Sequence, residues 1–281
     1  MSKEIAVLPI HGMGATPTDF DTRLKAKLRR RLGSSHWEKI SWQSVYYQKV
    51  LQSNQRAMMN DMRKKGDIDY IKLRQFLLYG FSDAAAMEAK PHEPGSVYEQ
   101  IQQCIVDSLE SVLQEHESKN IPLIIVAHSL GCQVISNYIW DAQRNIAKSG
   151  IFRVNASNRI GRVTRRDKFL RLKTLRYLFT SGCNIPIFLA GMPKSQIEPV
   201  KVSASGWSFS WHNYYDADDV LGWPLKPINS KYKAAIEVEK QINVGSNLIS
   251  WLTSQTPLSH NNYWSDNDFC DPIEEAIRSL L

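Results

Sequence analysis

Short apolar runs alternate along the chain with stretches in which apolar residues recur at helical spacing. Short apolar runs that end in glycine or polar residues are typical of buried strands, and stretches rich in aromatic and β-branched residues, such as 38–48, also favour strands. They predict strands within 4–10, 38–48, 121–127, 174–190 and 206–216. The run at 121–127 has no polar face, which indicates a strand in the middle of a parallel sheet.

Helical periodicity is clearest at 97, 101, 105 and 109, directly after the capping-box pattern of Ser96 and Glu99. The C-terminal helix is predicted to have Asp271 as its cap and Pro272 at its first position. Further helices are predicted from Thr18 or Asp19 to Gly33, in two pieces over 48–80 broken at 65–67, and over 132–147. Strands that alternate with helices predict an α/β fold, with a mainly parallel sheet covered on both faces.

Length and composition fit one soluble domain. The 281 residues are 43% hydrophobic and 22% charged, which predicts a single domain over 1–281. Segments 48–95 and 151–178 are candidates for insertions that form a lid or pocket. No secretory signal or membrane-spanning run is evident, so we expect a cytoplasmic protein. The four cysteines are scattered, which favours free thiols and indicates no metal site.

The net charge of +7 comes from one segment. Residues 151–178 contain nine Lys or Arg and one Asp, and the rest of the chain has 26 basic and 27 acidic residues. This segment is either a contact for an anionic membrane surface or phosphate, or an ordinary solvated excursion. Nucleic-acid binding is not indicated, because no recognised motif accompanies the charge.

The sequence AHSLG, residues 127–131, interrupts the apolar pattern between a predicted strand and a predicted helix. It is the Gly-x-Ser-x-Gly pattern with alanine in the first place. Small residues on either side allow Ser129 to occupy a strained strand-to-helix turn that exposes its hydroxyl above the sheet. Ser129 is therefore the predicted nucleophile, with simple helix capping as the alternative.

A second glycine-containing turn, HGMG, follows the first predicted strand and comprises His11, Gly12, Met13 and Gly14. A nucleophilic serine needs donors that hold an oxyanion. The amides of Met13 and Leu130 are the predicted donors, and His11, Gly12, Gly14 and Gly131 are predicted to support them. An ordinary turn is the alternative for His11 and Gly12.

In this fold class the acid follows the serine along the chain, and the histidine follows the acid. Only His212 and His260 follow Ser129, and His212 lies within a predicted strand, so His260 is the predicted base. Asp216, Asp218 and Asp219 compete as the acid in YYDADD. Asp219, the last carboxylate before the chain turns, is favoured, and Asp218 is the alternative.

Taken in this order, HGMG, AHSLG, the Asp-containing loop and SHNNYW resemble the α/β hydrolases of the lipase and esterase superfamily over nearly the whole chain. The acid loop is also similar to that of some intracellular phospholipases, which favours Asp219. The loop lacks the usual Asp-Pro-Val, so the choice of acid stays open.

The resemblance implies a serine ester hydrolase that works through an acyl-enzyme, without a cofactor or metal. The substrate would be a small-molecule or lipid ester, and Phe76, Leu77, Leu78, Tyr79 and Phe81 are candidates to line an acyl pocket. The alternative is a catalytically silent hydrolase fold that binds a partner through 151–178, because a fold does not determine a function.

Overall fold

The computed structural model describes residues 2–116, 120–144, 147–153, 160–203, 208–244, 260 and 262–281. Its strands are β1 (Ile5–Ile10), β2 (Ile40–Trp42), β3 (Leu123–His128), β4 (Leu175–Ser181), β5 (Ser210–Tyr215) and β6 (Val238–Gln241). They form one sheet in the order β2-β1-β3-β4-β5-β6, and every neighbouring pair is parallel. The carboxyl ends of all six strands therefore lie at the same edge.

Helices cover both faces of this sheet. They are α1 (Thr22–Trp37), α2 (Gln52–Lys65), α3 (Ile71–Glu88), α4 (Val97–Glu115), α5 (Leu130–Gln143), α6 (Arg165–Leu170), α7 (Ile185–Leu189), α8 (Ser230–Ala235) and α9 (Asn267–Leu280). Side chains of β1 alternate between the faces: Leu8 and Ile10 pack in a core with α4 and α5, whereas Ile5 and Val7 pack with α1 and α9. The predicted α/β class with a parallel sheet and helices on both faces is confirmed.

Two predicted strands are too long. Within 38–48 the structure contains only the short strand β2. Within 174–190 the strand β4 ends at Ser181. Gly182 has φ +53°, which ends the strand, and Pro186 lies in the first turn of α7. An apolar run does not distinguish a strand from a short buried helix. The pair α8 and β6 was not predicted.

Several helix ends also differ from the predictions. The helix before Gly33 begins at Thr22, after Asp21, and not after Thr18 or Asp19. Gly33 (φ +73°) interrupts it at the predicted position, and a second helical piece continues across this kink to Trp37. The prediction that Asp271 caps the last helix with Pro272 at its first position is wrong. Asp266 caps α9, accepting a 2.7 Å hydrogen bond from the amide of Asp268, so the helix starts earlier and Pro272 lies inside it.

The candidate insertion at 48–95 contains the hairpin of α2 and α3, with the break between them at 66–70. Helix α4 then starts after Ser96, whose side chain accepts a hydrogen bond from the amide of Glu99. The Glu99 carboxylate accepts from the amide of Gly95, so only one half of the predicted capping box forms. Three predicted elements extend beyond the described residues, at 117, 145–146 and 206–207.

Candidate active site

Ser129 occupies the turn between β3 and α5 with φ +53° and ψ −124°. A positive φ is strained for a residue with a side chain, and such strain is common at functional sites. The Ser129 side chain makes no capping hydrogen bond to α5. The hydroxyl is therefore not used as a helix cap, which was the structural alternative to a nucleophile.

Gly12 and Gly131 allow the close backbone packing around this turn. A Cβ on Gly12 would lie 2.7 Å from the Cβ of Ser129. A Cβ on Gly131 would collide with the carbonyl oxygen of His11 and lie 2.8 Å from that of Ile10. The loop after β1 and the serine turn thus approach each other more closely than side chains would allow.

His260 lies against Asp219, where the loop after β5 turns. The imidazole Nδ1 is 2.8 Å from Oδ2 of Asp219, and both side chains are almost fully buried. The hydroxyl of Tyr263 donates to the same Oδ2 at 2.8 Å, and the amide of Leu221 donates to Oδ1 at 3.0 Å. Asp218, by contrast, is exposed. The structure therefore brings Asp219, and not Asp218, to the predicted base.

The surroundings of Asp219 favour its charged form. Burial alone would raise the pKa of this carboxyl, but hydrogen bonds from His260, Tyr263 and the Leu221 amide hold the pKa below its ordinary value. A carboxylate that accepts from Nδ1 of His260 leaves the imidazole Nε2 as a proton acceptor. This is the arrangement that a general base requires.

Besides Nε2 of His128, the buried polar atoms at the site that have no hydrogen-bond partner among the described residues include Oγ of Ser129 and Nε2 of His260. Both residues line the same cavity of about 390 Å³, together with His11–Gly14, Phe20, Arg23, Phe76 and Trp264. Unpaired buried polar atoms are costly, and a catalytic role is one of the explanations for them. The two atoms do not bond to each other here, and catalytic hydrogen bonds are often long before a substrate is bound.

His11 orients the loop that contains Met13, one of the two predicted oxyanion donors. Its Nε2 accepts a 3.1 Å hydrogen bond from the amide of Tyr47, so Nδ1 carries the proton and donates to the carbonyl of Gly12 at 2.7 Å. Burial lowers the pKa of His11 to about 4, which keeps the ring neutral. The Tyr47 hydroxyl lies 3.0 Å from the carbonyl oxygens of His11 and Gly12.

The hairpin of α2 and α3 also holds this loop. The amide of Gly14 donates to Oδ2 of Asp83 on α3 at 2.9 Å, and Gln55 on α2 donates to Oδ1. Asp83 is fully buried, and Gly80 leaves room for the side chain of Met13. Met13, whose amide is one predicted donor, directly precedes Gly14 in this loop. The other predicted donor, the amide of Leu130, lies at the start of α5 and has no acceptor within that helix.

His128, the residue before the serine, packs on His260 with ring centroids 4.6 Å apart. Its pKa is lowered to about 3, first by burial and then by the neighbouring His260. A neutral ring against His260 adds no permanent charge beside the predicted base. His212, the other histidine after Ser129, lies in β5 and binds the hydroxyl of Ser210.

Sequence analysis missed several residues of this site. Tyr263 and Asp83 were not predicted, and the site also depends on Gly182 and Gly222. A Cβ on Gly182 would lie 2.9 Å from Cε1 of His260, and one on Gly222 would collide with the Asp219 carboxylate. Tyr263 was detectable as an aromatic residue beside His260 in SHNNYW, but no local signal indicates Asp83.

Of the acyl-pocket candidates, only Phe76 lines the cavity. Tyr79 is buried, Leu78 is partly buried, and Leu77 and Phe81 are exposed.

The basic segment 151–178 reaches into β4 at its end, and residues 154–159 lie outside the described part. Eight of its nine cations lie in the described part, and at least five of these contact acidic side chains or carbonyl oxygens of the fold, namely Arg153, Arg162, Arg166, Arg171 and Lys173.

Within the described ranges, no group of three or more His, Cys, Asp or Glu residues could hold a metal ion. None of the helices in these ranges is both long and apolar enough to cross a bilayer.

The parallel sheet, with a serine on the strand-to-helix turn and a histidine and a carboxylate at the same edge, has the arrangement of the α/β-hydrolase fold. The chain matches no protein-family model, and no curated protein matches it in sequence.

Two solved structures are similar over most of their length. One is a protein assigned to the alpha/beta hydrolase superfamily from Xanthomonas campestris pv. campestris, with 10% identity, a TM-score of 0.39, and coverage of 92% of this chain and 96% of that one. The other is a dienelactone hydrolase from Anabaena variabilis, with 11% identity, a TM-score of 0.40, and coverage of 93% and 86%.

Proposed function

We propose that this protein is a serine hydrolase that cleaves carboxylic esters, with Ser129 as nucleophile, His260 as base and Asp219 as the orienting acid. One observation carries the proposal. Ser129 sits on a strained turn with its hydroxyl unpaired, in the same cavity as a histidine whose other nitrogen is bound to a buried carboxylate. The unpaired hydroxyl suits a nucleophile, and the unpaired Nε2 suits a base. The buried carboxylate suits the group that orients this base.

The reaction follows from this arrangement. Nε2 of His260 takes the proton of Ser129 Oγ, which attacks the ester carbonyl carbon. The amides of Met13 and Leu130 stabilise the oxyanion, and the protonated imidazole gives its proton to the leaving alcohol. Water, activated by the same nitrogen, then releases the acid from the acyl-enzyme. Asp219 keeps its charge and stabilises the imidazolium.

The cavity limits the substrate. A volume of about 390 Å³ is in the range of small-molecule pockets, and Met13, Phe20, Phe76 and Trp264 give it apolar walls. We therefore propose an ester with an apolar part of small-molecule size or a single acyl chain.

The four cysteines are all buried and free, which fits the proposed cytoplasmic location.

Labelling with a fluorophosphonate probe tests the proposal directly. Native protein should form an adduct on Ser129, located by mass spectrometry, whereas Ser129→Ala should form none and His260→Ala should react far more slowly. Melting temperatures show whether each variant is folded. An unlabelled native protein in the folded state would contradict the proposal and favour the catalytically silent alternative.

A further inference from the structure

Exposed apolar side chains are concentrated on the hairpin of α2 and α3. In the described residues, six of the eleven large hydrophobic side chains that are exposed lie within this hairpin. They are Met58, Met62, Tyr70, Leu73, Leu77 and Phe81. Single exposed hydrophobic residues are ordinary on a soluble surface, but a concentration on one element marks an interaction surface.

Three of these residues form a stripe along α3. Leu73, Leu77 and Phe81 are spaced four apart, so they follow one another along one side of the helix, and Phe81 is 70% exposed. The same helix buries Tyr79 and Asp83 against the body of the protein. The exposed stripe is thus additional to the face that α3 packs inward.

The part of the hairpin around the turn between α2 and α3 carries a positive net charge. Residues 56–74 contain six basic side chains and three acidic ones. One of the acids, Asp61, is already paired with Lys65 at 3.1 Å. The basic side chains are Arg56, Arg63, Lys64, Lys65, Lys72 and Arg74, and all of them are exposed. Apolar side chains flanked by Lys and Arg match the interface of a bilayer that contains anionic lipids.

We propose that the hairpin of α2 and α3 is a docking surface for an anionic lipid bilayer. The apolar stripe enters the boundary between headgroups and acyl chains, while the basic residues contact the negatively charged headgroups. This assigns membrane contact to the hairpin, which combines basic with exposed apolar side chains, rather than to the basic segment 151–178, where Val163 is the one exposed large hydrophobic side chain among the described residues.

The hairpin lies beside the candidate active site. Phe76 on α3 lines the cavity, and Gly80 on the same helix packs against Met13. A bilayer that binds Leu77 and Phe81 would thus lie close to the cavity. Docking itself does not depend on hydrolysis and stands whether or not the proposed reaction is correct.

Vesicle cosedimentation with the Ser129→Ala protein tests docking without any turnover. The protein should bind phosphatidylcholine vesicles that contain phosphatidylserine and bind pure phosphatidylcholine weakly. The pair Leu77→Ser and Phe81→Ser should lower binding about tenfold or more. The pair Lys64→Glu and Lys72→Glu should remove the preference for phosphatidylserine. Ile187→Ser, a half-exposed residue outside the hairpin, is the matched control and should bind normally.

Three results would overturn docking: no binding to either vesicle, equal binding by the Leu77→Ser, Phe81→Ser protein, or an equal loss in the Ile187→Ser control. A dimer in solution that this double substitution dissociates, without vesicle binding, would instead make the hairpin a contact between two copies. Hydrolysis of a soluble ester, measured separately with Ser129 intact, reports on the proposed function alone.

Discussion

At the scale of single residues, two adjacent carboxylates have different environments. Asp219 is buried and bound to His260 and Tyr263, whereas Asp218 is exposed to solvent. Sequence analysis could restrict the acid to this loop because α/β hydrolases place the acid between the serine and the histidine along the chain. It could not separate the two carboxylates with certainty, because burial depends on packing against residues more than forty positions away.

We therefore expect Asp219→Asn to lower kcat by a factor of about 10³ to 10⁴, because an amide no longer holds His260 as a neutral acceptor at Nε2. Asp218→Asn is the matched control and should retain nearly full activity. Steady-state hydrolysis of a soluble ester measures both. Equal losses in the two variants, or a larger loss in Asp218→Asn, would contradict the assignment of the acid.

At the scale of elements, long periodic segments were predicted well and short ones poorly. The strands β1 and β3 and the helix α4 have strong, uninterrupted patterns, and the structure contains them. In contrast, α7 was predicted as a strand because its run IPIFL is apolar throughout, and the short pair α8 and β6 has too few residues for a periodicity. Neighbouring elements, rather than local pattern, determine these segments.

The contact between α3 and the loop after β1 leads to a prediction. Asp83→Ala removes the acceptor of the Gly14 amide, so the Met13 amide should lose its fixed orientation, and kcat should fall roughly ten- to a hundredfold. Asp83→Asn keeps one acceptor oxygen and should recover part of this loss. Comparing kcat with KM and with melting temperature separates positioning from general destabilisation.

If Asp83→Ala lowers the melting temperature but leaves kcat unchanged, α3 only supports the fold and the loop is held by His11 and Tyr47. A fall in kcat at unchanged KM would instead identify Asp83 as a positioning residue. No local sequence signal indicated this role, because Gly14 and Asp83 are 69 positions apart.

At the scale of the whole molecule, buried neutral histidines should make the fold sensitive to acid. The pKa of His11 is lowered to about 4 from its ordinary 6.5, so the unfolded chain takes up a proton at a higher pH than the folded chain does. The stabilising contribution is therefore complete above pH 6.5 and is lost as the pH falls toward 4.

We expect His11 to contribute a slope of about 1 kcal/mol per pH unit to the free energy of unfolding between pH 6 and pH 4.5. Urea unfolding at several pH values should show this slope in the native protein and a shallower one in His11→Asn. His92→Asn, which alters an exposed histidine, is the control. An identical pH dependence in native protein and His11→Asn would contradict a neutral His11.

The close approach of glycines to Ser129, His260 and Asp219 has an evolutionary consequence. Gly12, Gly182 and Gly222 each abut one of these side chains so closely that any Cβ would displace it. We therefore expect natural variation to be restricted at these three glycines, although they take no part in the chemistry. Distant descendants of the same ancestor, with every surface residue replaced, would still share these three glycines, and their spacing could reveal kinship that overall identity no longer shows.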